Sequence, residues 1–176
     1  MADFNIAIKT VLDHEGGWTD DPNDAGGPTH YGITLPVLRA EGDAGDIDCD
    51  GDIDVEDLRQ LTPMMAKHIY RAQWWERYGY GRIDSQAIAT KIFDLAVNMG
   101  ARQAHMIAQR ALAANGMPVA VDGVLGPITR NALNAAPVVS LLAAIRSEAA
   151  GVYRLILARH PDYQTFEVGW LRRAYS

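Results

Sequence analysis

The sequence of 176 residues contains a single cysteine, Cys49, so no disulfide bond can form within the chain. No apolar run reaches the roughly 18–20 residues that a membrane-spanning helix needs. The N-terminal segment has an early acidic residue, Asp3, and lacks a long apolar core, so we expect no signal peptide. These absences favour a globular protein that folds without an oxidising compartment.

Several catalytic motifs are also missing. The histidines are scattered and form no HExxH or CxxC pattern, so zinc chemistry is not expected. The sequence has no GxSxG motif, which argues against a Ser-His-Asp hydrolase. No lysine follows Gly26-Gly27, so these glycines do not form a phosphate-binding loop of the P-loop type. Cys49 lies among acidic residues, which disfavour the thiolate that a cysteine nucleophile needs. Carboxylate chemistry is what remains.

The charge of the chain is unevenly distributed. Nine of the 22 acidic residues fall within residues 41–57, a stretch without Lys or Arg, although the whole chain carries a formal charge of −6. The remainder has 13 acidic residues against 16 basic ones and is therefore mildly basic. Such a surface suits an anionic polymer such as a cell wall. No basic cluster or aromatic-rich strand predicts a nucleic-acid partner.

Hydrophobic periodicity predicts a mainly α-helical fold. Apolar residues recur with helical spacing from Phe4, and this first helix is expected to end near Glu15 because Gly16-Gly17 follow. Further helices are predicted over 62–78, 85–98, 101–115, from Pro127, and over 138–158. Residues 17–34 are rich in Gly, Pro, Asp and Asn and predict a small lobe of turns or a β-hairpin. No linker separates these segments, so we expect one domain.

Two sets of residues allow more than one interpretation. Tyr70 and Trp74 either line a sugar-binding groove or fill the core, and the core is favoured. Asn98, next to the end of a strongly apolar helix, either caps that helix or reaches into a cleft.

Residues 46–57, DIDCDGDIDVED, match the calcium-binding loop of an EF-hand. Acidic residues stand at loop positions 1, 3, 5 and 9, glycine at 6, an aliphatic residue at 8 and a carboxylate at 12. Carboxylates this dense repel one another unless a cation neutralises them, and the alternative is a solvated acidic loop. The sequence therefore predicts a Ca²⁺ site, and its candidate ligands are Asp46, Asp48, Asp50, Asp52 and Asp57. Asp57 stands where an EF-hand usually has glutamate.

Glu15 is the candidate for acid catalysis, since it lies at a helix end beside the turn-rich stretch. Cleavage of a glycosidic bond needs a protonated acid and a second group that stabilises the oxocarbenium-like centre or activates water. Burial would raise the pKa of Glu15, whereas Asp24 in a polar loop would stay ionised and Thr29 could orient water. A helix-end glutamate more often has no catalytic role, and that alternative stays open on these residues alone.

The string HEGGWTDDPNDAGGPTHYGIT at residues 14–34 resembles the signature of glycoside hydrolase family 108, the phage and bacterial N-acetylmuramidases. In that family the glutamate of the EGG motif is the catalytic acid, which implies this role for Glu15. The spacing of Glu15, Asp24 and Thr29 is similar to the Glu-Asp-Thr arrangement of phage lysozymes. The difference is that four residues, rather than five, separate Asp24 from Thr29. The resemblance continues through residues 61–63, 93–100 and 122–127. The acidic loop is a departure from the family.

The resemblance implies a lysozyme-like helical domain over residues 1–176, with a small β-hairpin or turn lobe. Residues 1–100 would form the catalytic part with the loop at 46–57, and residues 101–176 a C-terminal helical part similar to peptidoglycan-binding modules. The implied activity is that of an endolysin-type muramidase, which hydrolyses the β-1,4 bond between N-acetylmuramic acid and N-acetylglucosamine in peptidoglycan. Asp24 would act as the electrostatic or water-activating partner and Thr29 as an orienting hydroxyl.

From this we expect a calcium-stabilised or calcium-regulated monomer that acts on glycan strands and waits in the cytoplasm for release by a holin. Three other functions stay open on the sequence, and one of them is a dockerin-type, calcium-dependent module that binds a protein partner. A lytic transglycosylase would use Glu15 on the same bond without a water-positioning partner. A non-catalytic, calcium-dependent wall-binding protein would not need Glu15 at all.

Overall fold

The computed structural model describes residues 1–20 and 27–176. Asp24 therefore lies outside the described residues. The α-helices of the described part are α1 (Phe4–Glu15), α2 (Leu35–Arg39), α3 (Val55–Gln60), α4 (Pro63–Tyr70), α5 (Gln86–Met99), α6 (Ala101–Ala114), α7 (Pro127–Ala135), α8 (Val138–Arg159) and α9 (Glu167–Tyr175). A π-helical segment, Arg71–Glu76, continues α4, and short 3₁₀ helices cover Gly42–Gly45, Tyr80–Arg82 and Pro161–Phe166.

The sheet is small and antiparallel. Its strands are β1 (Trp18–Thr19), β2 (Thr29–His30) and β3 (Ile33–Thr34), in the order β1-β2-β3. Thr29 lies opposite both Thr19 and Thr34, and His30 lies opposite both Trp18 and Ile33. The lobe of turns or hairpin predicted for residues 17–34 is therefore a three-stranded sheet in the part that the structure describes.

The chain divides into two compact units. The first comprises Met1–Ala7 and Trp74–Ser176, and the second comprises Ile8–Gln73. Helix α1 contributes its first turn to the first unit and its remainder to the second. The expected single domain over residues 1–176 stays a prediction.

Helix α5 forms the centre of the first unit, where it packs against α6 and α8. Ser85 caps its N-terminus by accepting a hydrogen bond from the N–H of Ile88 at 3.4 Å. The apolar side chains that it buries fully are Ile88, Ala89, Ile92, Phe93, Leu95 and Ala96. Four aromatic rings pack together beside it, with centroids between 5.4 and 6.2 Å apart: Phe4, Trp75, Tyr80 and Phe93. Asn98 accepts a hydrogen bond from the hydroxyl of Tyr153 at 2.7 Å, so it links α5 to α8, a role that neither sequence interpretation foresaw.

The first unit also buries a charged cluster. The guanidinium of Arg173 donates to Asp94 at 3.1 Å, and the ammonium of Lys91 lies 3.9 Å from the same carboxylate and donates to the carbonyl of Arg173. All three side chains are buried. Burial lowers the pKa of Lys91 to about 8, although the charge of Asp94 opposes this shift.

The second unit has its own apolar core. Buried side chains of α1, β3, α2, α3 and α4 form it, and they include Ile8, Val11, Ile33, Leu38, Leu58, Ile69 and Tyr70. Helix α4 begins at the start of the helix predicted over 62–78, with Pro63 in its first turn. Thr62 caps it by accepting a hydrogen bond from the N–H of Met65 at 3.3 Å. Tyr70 is fully buried, as the core interpretation predicted.

The mainly α-helical class with a small antiparallel sheet is confirmed. Across residues 1–20 and 27–176, no helix combines the length and apolar character that crossing a membrane requires. Helix α8 has 22 residues, but its charged residues, among them Arg146 and Glu148, interrupt its apolar surface.

Candidate active site and acidic loop

Glu15 is the last residue of α1, and its side chain is half-buried. The helix stops there because Gly16 follows in a left-handed conformation, with its N–H still bonded to the carbonyl of Leu12 at 3.2 Å. Glu15 is thus attached to a rigid element while its carboxylate lies at the end of that element. This is the position that the sequence predicted for the candidate acid.

The turn between β2 and β3 packs against this carboxylate. Its central residues, Tyr31 and Gly32, have φ values of +51° and +73°, and two positive φ angles are what a type I′ hairpin turn requires. A β-carbon placed on Gly32 would lie 2.6 Å from Oε2 of Glu15 and 2.6 Å from the hydroxyl of Tyr70. Only glycine fits, because both the backbone conformation and the space exclude a side chain.

Tyr70 holds this turn in place. Its buried hydroxyl donates a hydrogen bond to the carbonyl of Tyr31 at 2.9 Å, and the N–H of Tyr31 donates to the carbonyl of Gly17 at 3.3 Å. A left-handed conformation costs a bulky residue such as Tyr31 on the order of 1 kcal/mol, so it persists only where neighbouring groups stabilise it. Glu15 therefore faces a backbone wall that α4 supports through Tyr70.

Thr29 lies in β2, three residues before Gly32 in the turn. Residues directly opposite one another share a face of a sheet, so Thr19, Thr29 and Thr34 place their hydroxyls on the same face. The structure brings Glu15 together with Gly32 and Tyr70, and Asp24 is outside the described residues. The roles of Asp24 and Thr29 stay predictions.

An aromatic surface lies on the other face of the sheet. His30 stacks on Tyr31 with centroids 4.3 Å apart, and Trp18 contacts His30 edge-on at 5.9 Å. The guanidinium of Arg59 lies 5.1 Å from the centroid of the Trp18 ring. His30 is fixed because its Nδ1–H donates to the carbonyl of Leu58 at 2.9 Å. Rings held in this way can stack on the apolar faces of sugar rings.

Neither Gly32 nor this aromatic surface was predicted from the sequence to be part of the site, and for Tyr70 the core was favoured over a sugar-binding groove. The Tyr-Gly pair between two short β-forming segments is a signal for a two-residue hairpin, and it could have placed the turn. The sequence predicted that Glu15 lies beside the turn-rich stretch, but it did not single out this turn, because that contact depends on how α1 and α4 pack.

The acidic loop is folded around the carboxylate of Asp46. One oxygen accepts the N–H of Asp50 and the other accepts the N–H of Gly51, both at 3.1 Å. The carboxylates of Asp46, Asp48 and Asp50 lie within 4.8 Å of one another, which is close enough to hold a cation together. These are the acids at loop positions 1, 3 and 5.

Asp57, the predicted ligand at loop position 12, closes the loop through backbone hydrogen bonds. It is buried and accepts hydrogen bonds from the backbone N–H groups of Asp54, Asp48 and Ile47, which lower its pKa. Together with Asp52 and Asp54 it forms a second group of carboxylates within 4.8 Å of one another, and the set of five ligands stays a prediction. The charge of Asp50 raises the pKa of Asp52, because neighbouring carboxylates repel.

A glutamate at the end of a helix, placed against a small antiparallel sheet in a mainly helical chain, defines a lysozyme-like fold. The model of the glycosyl hydrolase 108 family matches residues 8–100, which is more than half of the chain. The chain belongs to this family. A second family model, described as a predicted peptidoglycan domain, matches residues 103–175. The resemblance in the sequence is thereby confirmed at the level of the family, whereas the calcium loop stays a prediction.

Among solved structures, SagA of Brucella abortus is similar to this chain. The two share 26% sequence identity with a TM-score of 0.76, over 97% of this chain and 88% of SagA. No curated protein sequence matches the chain. The family and the second match together indicate a glycoside hydrolase that is directed at peptidoglycan.

Proposed function

We propose that this chain is a muramidase that hydrolyses the β-1,4 bond between N-acetylmuramic acid and N-acetylglucosamine, with Glu15 as general acid. The observation that carries the proposal is the fixed position of the Glu15 carboxylate at the end of α1, against the backbone of Gly32. Membership of the glycosyl hydrolase 108 family supports a glycosidic bond as the target, and the second family match supports peptidoglycan.

In this reaction Glu15 donates its proton to the oxygen that leaves with N-acetylglucosamine, and the bond from that oxygen to C1 of N-acetylmuramic acid breaks. Water adds to C1 and loses a proton, which yields a reducing N-acetylmuramic acid. We assign stabilisation of the positive charge at C1, or activation of the water, to Asp24 and orientation of the water to Thr29. The rigid attachment of Glu15 supports the reaction, because general acid catalysis requires the acid within hydrogen-bond reach of the leaving oxygen.

The three-stranded sheet supports a sugar polymer as substrate. Trp18, His30 and Tyr31 present ring faces, while the row of threonine hydroxyls on the opposite face supplies hydrogen-bonding groups. The face that carries the rings suits stacking against the apolar faces of sugars in a glycan strand.

Analysis of the products by mass spectrometry tests the proposal. Purified peptidoglycan is digested with the wild type, with Glu15→Gln, and with Asp13→Asn, which removes one exposed carboxylate from the same helix. We expect reducing N-acetylmuramic acid ends from the wild type and Asp13→Asn, and at least a hundredfold slower release from Glu15→Gln, in the range of general acid catalysis.

The other functions give different products. Ends carrying 1,6-anhydro-N-acetylmuramic acid would identify a lytic transglycosylase, in which the sugar's own hydroxyl replaces water. Binding to the wall without bond cleavage would identify a non-catalytic wall-binding protein. Equal rates of release for Glu15→Gln and the wild type would show that Glu15 is not the general acid.

We further propose that the loop at residues 46–57 binds Ca²⁺. Asp46, Asp48 and Asp50 supply three converging carboxylates, and oxygen ligands of this kind suit a hard cation. The residues present fit the ion in this first part of the loop. The carboxylate of Asp57 already accepts three backbone hydrogen bonds, so it would bind the ion only through its remaining lone pairs. When bound, the cation would neutralise the repulsion between these acids and stabilise the segment between α2 and α3.

A further inference from the structure

The first unit contains a cavity of about 410 Å³ that none of the predicted site residues lines. Its walls come from the segment that precedes α5 and from the turn at residues 122–126 that precedes α7, with His105 of α6 between them. The turn includes the DGVLGP motif. The cavity volume is in the range of sites that hold small molecules or the end of a polymer side chain.

Two buried side chains of α6 hold the peptide groups of Gly123 rigidly. The N–H of Gly123 donates to Oε1 of Gln109 at 2.9 Å, and its carbonyl accepts from Nδ1 of His105 at 3.0 Å. Gln109 also donates to Asp122 at 2.8 Å. Since a carbonyl can only accept, Nδ1 of His105 carries the hydrogen, and burial keeps the pKa of His105 below its usual value. His105 is therefore a neutral structural group in the cavity wall.

Gly123 is required in this wall. It has a φ of +78°, and a β-carbon there would lie 2.6 Å from the side chain and 2.9 Å from the carbonyl oxygen of Arg102. The motif thus builds a preformed wall, because its backbone is fixed on one side by α6 and on the other by close packing.

Arginine side chains converge on this cavity. Arg77, Arg82 and Arg130 all line it, and a β-carbon placed on Gly79 would lie 3.5 Å from Nη1 of Arg130 and 3.8 Å from Nε of Arg82. Arg130 is held there because it donates to the carbonyl of Leu125 at 2.6 Å. Among the residues that the structure describes, no carboxylate forms an ion pair with any of the three arginines. Like charges brought together in this way fit an anionic ligand.

One acid accompanies the arginines. Glu76 is the single carboxylate among the described residues that line the cavity. The ring of Tyr78 also lines it and packs edge-on against His105, with centroids 5.2 Å apart. Three guanidinium groups and one carboxylate complement a ligand that carries a carboxylate and an ammonium side by side better than they complement a phosphate.

We infer that this cavity binds the end of a peptidoglycan peptide stem through its carboxylate, with Glu76 facing the ammonium of a terminal diamino acid. The inference rests on the proposed function only in taking peptidoglycan as the polymer. Occupation of the cavity would hold the enzyme on peptide-bearing glycan strands, which adds a second contact to the one at Glu15.

Calorimetric titration with a disaccharide–tripeptide muropeptide tests the inference. This probe ends in diaminopimelate and lacks the bond that the proposed reaction cleaves, so binding is measured without turnover. We expect saturable binding, and binding about tenfold weaker when the stem carboxylates are amidated, because charge-assisted hydrogen bonds to arginine are then lost.

The variants are Arg82→Gln, the double variant Arg82→Gln/Arg130→Gln, and Arg159→Gln as a control that removes one exposed charge outside the cavity. We expect the muropeptide Kd to rise about tenfold in the double variant, less in Arg82→Gln, and to stay unchanged in Arg159→Gln. Should the double variant fail to fold, Arg82→Gln decides alone, since Arg82 is exposed. Equal Kd values for Arg82→Gln and Arg159→Gln would overturn the inference.

Glu76→Gln distinguishes a peptide stem from a phosphate-bearing wall polymer. Removal of this acid should weaken the binding of the muropeptide several-fold and strengthen the binding of glycerol phosphate, because the same charge attracts an ammonium and repels a phosphate. Tighter binding of glycerol phosphate than of the muropeptide to the wild type would overturn the assignment to the stem. Glycan cleavage without muropeptide binding would refute this inference alone, whereas muropeptide binding without cleavage would refute only the proposed function.

Discussion

The hydroxyl of Tyr70 donates a hydrogen bond to the carbonyl of Tyr31 at 2.9 Å, and so connects a buried position of α4 to a residue with a left-handed backbone. The next residue, Gly32, lies against the carboxylate of Glu15. The side chain of Tyr70 thus fixes the backbone that lies in front of the candidate acid. Tyr70 and Gly32 are positioning residues in this sense.

We expect Tyr70→Phe to lower the free energy of unfolding by about 1–2 kcal/mol, because the carbonyl of Tyr31 loses its partner in a partly buried site. Wall hydrolysis should fall more than this loss of stability explains, since the turn next to Glu15 becomes free to shift. Urea denaturation and rates of turbidity loss, measured where the variant is fully folded, check both effects. Tyr163→Phe, at an exposed tyrosine, serves as the control. Wild-type rates for Tyr70→Phe would show that the hydrogen bond has no role in positioning.

Gly32→Ala should abolish most activity, because the new β-carbon would overlap Oε2 of Glu15 and the hydroxyl of Tyr70. The matched control is Gly116→Ala, since Gly116 has nearly the same φ, +74° against +73°, but has open space around it. Both variants carry a backbone strain of about 1 kcal/mol. The difference between them in the rate of wall hydrolysis therefore measures the clash. Similar rates in the two variants would contradict the contact between the turn and the acid.

Calcium should raise the stability of the chain if the loop at 46–57 binds it. At a Ca²⁺ concentration of about 100 times the Kd, the free energy of unfolding should rise by about 2.7 kcal/mol relative to chelator. Asp46→Asn/Asp50→Asn should remove this gain, whereas Asp43→Asn, at an exposed acid before the loop, should retain it. Turbidity assays with calcium and with chelator distinguish an ion that regulates activity from one that only stabilises the fold. A purely structural ion leaves the hydrolysis rate of the folded enzyme unchanged. Identical unfolding curves with and without calcium would show that the loop does not bind the ion.

The buried Lys91 should make stability increase with pH under mildly alkaline conditions. Its pKa is lowered to about 8 in the folded chain from an ordinary value of 10.5, so between these values the unfolded chain binds more protons. The free energy of unfolding should therefore rise by about 1 kcal/mol between pH 8 and pH 9. Lys91→Met should remove this rise, and Lys67→Met, at an exposed lysine, should keep it. An identical pH dependence in the two variants would exclude Lys91 as its source.

The sequence predicted the elements of the fold well where local rules decide them. The end of α1 at Glu15, the start of α4 at Thr62-Pro63 and the start of α7 at Pro127 all follow from caps, glycines and prolines. Asn98 was less predictable, because its partner Tyr153 lies 55 residues away in the chain. Gly32 had a recognisable turn context, but the reason for its identity is a contact with two other segments.

The sequence by itself determined the helical class, the position of Glu15 at the end of a helix, and the acidic spacing of the loop, because each depends on residues close together in the chain. The tertiary structure decided what those residues face. It placed the Tyr31-Gly32 turn against Glu15, divided the loop acids into two groups around the buried Asp57, and brought Arg82 and Arg130 over Gly79. These relationships depend on packing between distant segments, and no local pattern of residues encodes such distances.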